Sequence, residues 1–141
     1  MKLFLTLCLL LSTSAFAQGL EKVLGLNDAL FTHLLGTDQA KVQEAARALS
    51  AEIKKQGGKL KTDHLDQISA KNAKEKNLEH YDKFLVPVVE LVRSQKGPRP
   101  YNVFYCPMVK KAWVQDVSKQ PKIRNVFAQE MLECGEQQTR F

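Results

Sequence analysis

The sequence predicts a mainly α protein: an antiparallel helical bundle of about four helices, with a small C-terminal extended or hairpin segment and a final helix. Three observations carry that expectation. Apolar residues recur at spacings of three and four from Leu20 to Val92; glycines halt the pattern at Gly36 and at Gly57-Gly58; and beyond Gly97-Pro98-Arg99-Pro100 the period drops towards two.

The elements follow in order. Lys2, the apolar run Leu3 to Leu11 and the small-residue stretch ending Ala15-Phe16-Ala17 have the form of a secretory signal peptide over residues 1–17, leaving residues 18–141 as a single helical domain. Leu20, Val23/Leu24, Leu30/Phe31 and Leu34/Leu35 make the apolar face of a first helix that stops at Gly36. Thr37 or Asp38 caps a second, whose stripe Val42, Ala45/Ala46, Leu49, Ile53 ends at Gly57-Gly58, and the short link predicts an antiparallel pair. Thr62 or Asp63 opens a third helix with Leu65 and Ile68, interrupted by the polar stretch Lys71 to Asn77. A fourth stripe runs from Leu78 through Tyr81, Phe84/Leu85 and Val88/Val89 to Leu91/Val92, with a kink or break expected near Lys83 because Pro87 removes a backbone donor. Tyr101, Val103 and Tyr105 alternate with Asn102 and Phe104, and Ala112-Trp113-Val114 is β-prone, so a hairpin is expected there with Trp113 as its core anchor. Pro121 then precedes Ile123, Phe127, Met131 and Cys134, spaced as one face of a final helix that Gly135 would end.

Composition narrows the function. The formal charge is +6, and loss of Lys2 with the leader leaves 20 basic residues against 15 acidic, a formal charge of +5. The lysines are scattered through every segment, which is the pattern of a solvated surface and not of a nucleic-acid or membrane patch. The leader's apolar run is too short to span a membrane, and Cys8 lies inside it, away from the cleavage point, so neither membrane insertion after cleavage nor a lipid anchor is expected. A periplasmic or secreted location follows from the leader. There is no glycine-rich phosphate loop, no His-Glu-x-x-His and no Gly-x-Ser-x-Gly elbow, and the two distant cysteines form no Cys-x-x-Cys pair, so the chain is read as non-enzymatic.

The chemistry concentrates in sulfur. Cys106-Pro107-Met108 places two sulfurs on a proline-fixed turn, and Met131 and Cys134 stand three residues apart on the expected last helix. Thiolate and thioether donors together select soft ions, Cu(I) and by the same reasoning Ag(I). Cys106, Met108, Met131 and Cys134 are the candidate metal ligands, with His80 or His64 able to supply an imidazole. His33 is read as a core-edge residue. The residues leave a second reading open, a structural Cys106–Cys134 disulfide, which export favours and which would stabilise a chain of this size by roughly 3–4 kcal/mol. Met131 and Cys134 are equally at home as core side chains.

Tyr105-Cys106-Pro107-Met108, Ala112-Trp113, Ile123-Arg124-Asn125 with Phe127, and Met131-Leu132-x-Cys134-Gly135 together resemble a bacterial exported domain of unknown function. That domain occurs alone in the periplasm and fused to the C-terminus of periplasmic adaptor subunits of copper and silver efflux systems. The segment from Gly25 to Ile53 is similar to its N-terminal helical pair, and Leu78-Glu79-His80 to a histidine that its members carry. They follow that histidine with Gln-Arg and a second histidine, where this chain has Tyr81-Asp82-Lys83-Phe84, and they have proline where this chain has Val126. The resemblance implies a mainly helical fold, heavy-metal handling, and a metal efflux or metal-delivery protein of the cell envelope as partner. With it, a Cu(I) or Ag(I) site at Cys106, Met108, Met131 and Cys134, with auxiliary His80, stands level with the disulfide. The alternative function is a non-catalytic envelope interaction module stapled by that disulfide.

Overall fold

The structure, a computed structural model, describes the backbone of residues 3–95 and 100–141 and the side chains from residue 17 onward. Lys2 of the expected leader and Gly97-Pro98-Arg99 of the expected helix stop lie outside the described residues. Helix α1 spans Leu3–Leu35, so the backbone of the stretch expected to be a leader continues without interruption into the first core helix. Helix α2 spans Gln39–Gln56, α3 Asp63–Asp66 and α4 Lys74–Ser94; strands β1, β2 and β3 span Tyr101–Cys106, Lys111–Asp116 and Glu136–Gln137. Among the described residues no helix is long and apolar enough to cross a membrane.

Helices α1 and α2 pack as the expected pair, burying Leu24, Leu30, Phe31 and Leu34 against Val42, Leu49 and Ile53. Asp38 caps α2: its Oδ1 accepts from the N–H groups of Ala40 at 3.1 Å and Lys41 at 3.2 Å. Gly57, at φ 61°, closes the other end in the left-handed conformation that costs glycine least. Asp38→Ala therefore orphans two backbone donors, and a thermal melt should show stability lowered by about 1 kcal/mol.

Two expectations need correction. The described residues are mainly helical and hold four helices, as expected, but these do not make a regular four-helix bundle, because α3 is a single turn of four residues. The close backbone neighbours of α4 are α3 and the sheet, and it reaches α1 through side chains, Tyr81 Oη donating to Asn27 Oδ1 at 3.0 Å. The break near Lys83 is also absent, since α4 continues through Pro87. Val86 and Pro87 lie on the exposed side, where a helix can curve outward, while Phe84, Leu85, Val88 and Val89 hold the opposite side in the core.

The hairpin forms as the alternation predicts. β1 pairs antiparallel with β2 in the register Val103↔Val114, Phe104↔Trp113, Cys106↔Lys111, and β3 adds to the other edge of β1, giving the order β2-β1-β3. One face, with Tyr101 and Asp116, meets α1: the N–H of Asp116 donates to Asp28 Oδ1 at 3.3 Å, across 88 positions of sequence. The other face carries Asn102, Phe104, Cys106, Trp113 and Gln115, with the Phe104 and Trp113 rings stacked at 5.8 Å.

The final helix is the third correction. Residues 117–135 contain no helix, and the chain from Asn125 to Cys134 is a run of turns. Backbone N–H groups of Ala128, Met131 and Cys134 donate to the carbonyls of Asn125, Ala128 and Met131 at 3.4, 2.9 and 2.8 Å, and the N–H of Asn125 donates to Leu132 O at 2.7 Å. The segment covers the second face of the sheet, which a flat run of turns does more closely than a cylinder about 10 Å across. Two buried amides hold it there. Gln115 Nε2 donates to the carbonyls of Gln120 at 2.6 Å and Lys122 at 2.7 Å while its Oε1 accepts from Arg124 N at 3.1 Å. Asn125 Nδ2 donates to Cys134 O at 2.9 Å and its Oδ1 accepts from Phe127 N at 2.9 Å. The approach is close enough that a Cβ on Gly135 would fall 2.6 Å from the Trp113 ring.

Candidate functional site

Cys106 ends β1 and Cys134 ends the run of turns two residues before β3, so the sheet edge and the covering segment meet at these two residues. They are joined by a disulfide, with S–S 2.05 Å and Cα–Cα 5.6 Å. Cys106 is fully buried and Cys134 partly so. The four-residue connection Pro107 to Lys110 closes the hairpin, with Lys110 in the left-handed region at φ 54°. Across from Cys106, the Lys111 ammonium meets the Asp82 carboxylate of α4, which balances the charge beside the disulfide.

The two methionines, two residues from Cys106 and three from Cys134 in the chain, lie outside the core. Met108, in the hairpin connection, is 71% exposed and Met131, in the turns, is 44% exposed. With Val86 they are the large apolar side chains left in solvent among the described residues. The structure thus brings the two cysteines together and leaves both thioethers exposed.

His80 lies elsewhere. It is buried on α4, its ring 6.3 Å from that of His64 on α3. Asp82, the α4 residue that reaches Lys111, is two positions further on, and residues two apart on a helix do not share a face. Burial, and after it the charge of Lys76, holds the His80 imidazole below its ordinary pKa. Glu79 beside it sits at about 2, because Lys83 and Lys76 donate to its oxygens at 2.7 and 2.9 Å.

In the disulfide state the donor set presents thioethers only, since neither cysteine sulfur is a thiolate. Among the described residues no three His, Cys, Asp or Glu side chains group as metal ligands. Reduced, the two thiols would stand side by side, with a methionine two residues along the chain from Cys106 and another three from Cys134, a set whose chemistry fits a soft ion. The residues whose role sequence reasoning missed are Gln115, which holds the covering segment at Gln120, Lys122 and Arg124, and Asn125, which holds it at Phe127 and Cys134. The signal for Gln115 was the strand alternation, which puts it on the same face as Trp113; Asn125 offered only its place at the edge of the short apolar pair Val126-Phe127.

No protein-family model matches the chain, and neither a curated protein nor a solved structure matches it.

Proposed function

We propose that this is an exported, non-catalytic domain that takes one soft monovalent ion, Cu(I) or Ag(I), at the Cys106–Cys134 corner and serves heavy-metal handling in the cell envelope, in partnership with an efflux or delivery protein. The observation that carries the reading is the pairing of Cys106 with Cys134, each with an exposed methionine within three residues of it in the chain, so that four soft donors lie in the segments joined by one bond. The likeness of the Cys-Pro-Met and Met-Leu-x-Cys-Gly stretches to an exported domain linked to copper and silver efflux supports it, as does the leader-like start of the chain.

The ion would be held by the thiolates of Cys106 and Cys134 with the thioethers of Met108 and Met131. Opening the disulfide takes two electrons and two protons, supplied by a dithiol reductant that is itself left as a disulfide. The bound ion would be redox-neutral cargo here, and the chain's part is to hold soft donors at a corner where a partner can reach them.

The closed disulfide favours a second reading, an interaction module for which Cys106–Cys134 is a staple and nothing more. Native mass spectrometry separates the two. After reduction by a dithiol and removal of the reductant, the metal reading expects one Ag(I) per chain. Cys106→Ser should weaken that binding by more than the roughly 10–100-fold that loss of an outer-shell partner costs. A reduced chain that takes up no Ag(I) would leave the staple as the role of both cysteines.

A further inference from the structure

We infer that His64 and His80 form a second, independent metal site, specific for a divalent transition ion, with Cu(II) its strongest ligand. The pair bridges α3 and α4, with ring centroids 6.3 Å apart and planes 29° from parallel. In each ring Nδ1 is buried and has no hydrogen-bond partner. Buried polar atoms in folded proteins are nearly always satisfied. Two orphaned nitrogens on adjacent imidazoles therefore point to a missing shared partner.

An ion fits the spacing. Imidazole nitrogen binds a first-row ion at about 2.0–2.1 Å, which puts two rings sharing that ion on the order of 5–6.5 Å apart between centroids. Nitrogen donors of this type suit Cu, Zn and Ni, and affinity among the divalent ions peaks at Cu(II). His64 is half-buried as a residue while its Nδ1 is covered, so an ion would reach the pair by a small movement of the His64 ring.

The scaffold between the rings is fixed in advance. Asn77 is one turn before His80 on α4, and its amide ties down the loop that follows His64. Its Oδ1 accepts from Ser69 N at 3.1 Å and from Asn72 Nδ2 at 2.9 Å. Its Nδ2 donates to Ser69 O at 2.9 Å and to Gln39 Oε1 at 2.8 Å. A buried amide with every bond made holds the loop after α3, and α2, against α4, which limits how far either ring can drift. The site shares no residue with the disulfide corner beyond the auxiliary role first expected of His80, and it does not depend on the thiols.

The test uses the full chain with its disulfide intact, so that no thiolate is present, titrated with copper(II) chloride and followed by electron paramagnetic resonance. The expected result is one Cu(II) with hyperfine structure from two nitrogens in the unmodified protein. His64→Gln and His80→Gln should each raise the half-saturating concentration at least tenfold, while His33→Gln leaves it unchanged. An unmodified chain whose Cu(II) spectrum lacks imidazole nitrogen overturns the proposal whatever the variants do. So does binding that persists in both histidine variants once circular dichroism has shown them folded.

Discussion

Reduction of the disulfide, or Cys106→Ala with Cys134→Ala, should lower stability by about 3.5 kcal/mol, the chain-entropy value for releasing a cross-link between residues 28 apart. On the usual scaling that is a fall in Tm of about 10 °C or more for a domain of this length. The loss is expected to fall on the covering segment first, because Cys134 is the point at which that segment is tied covalently to β1. The two readings of the corner differ in what happens next. If the reduced cysteines take a soft ion, Ag(I) at a hundredfold excess over its Kd restores roughly 2.7 kcal/mol, most of what was lost. If they are a staple only, Ag(I) leaves the reduced Tm where it was. Calorimetry of oxidised, reduced, and reduced Ag(I)-loaded protein therefore reads the staple and the site in one series.

Gln115→Leu should cost nearly as much, about 3 kcal/mol, with the disulfide still closed. The side chain is fully buried and shares its two amide ends among the carbonyls of Gln120 and Lys122, the N–H of Arg124 and, at 3.4 Å, the Trp113 indole N–H. Leucine fills similar space but leaves two carbonyls without a donor and two N–H groups without an acceptor. Each such group costs about 1–3 kcal/mol when kept from water, and those near the surface recover part of that by hydration. Gln115→Glu keeps the acceptor and loses the donor, so it should fall between leucine and wild type. Urea unfolding followed by Trp113 fluorescence measures all three, and a leucine variant within 0.5 kcal/mol of wild type, on the order of an ordinary surface substitution, would show that the amide is not what holds the segment.

The helical half of the molecule was legible because its rules are local. The stripe from Val42 to Ile53, the Asp38 cap and the Gly57 stop are decided within a few residues of themselves, and the structure reproduces them. The hairpin was legible for the same reason. The C-terminal segment was not, since Ile123, Phe127, Met131 and Cys134 fall at helical spacing by coincidence, and what decides their conformation is a sheet face built from residues 101–116. Asn125 is the local clue, since its side chain offers the backbone of Phe127 and Cys134 bonds that compete with a helix. The pairing of Cys106 with Cys134 was legible as one of two options. The separation of His80 from the sulfurs was not, because it depends on which face of α4 turns towards α3.

The bond from the Asp116 N–H to the Asp28 carboxylate, and that from Gln120 Nε2 to Thr32 Oγ1 at 3.1 Å, each span 88 positions. They sew the first helix to the last strand of the hairpin and to the segment beyond it. A chain whose helices are set locally must therefore wait for its C-terminal third before α1 has its final partners. The cost of closing loops that long falls on the folding barrier. Secondary structure that can form early and tertiary structure that must form late are thus built into one domain, whose helices and sheet are expected to be lost together.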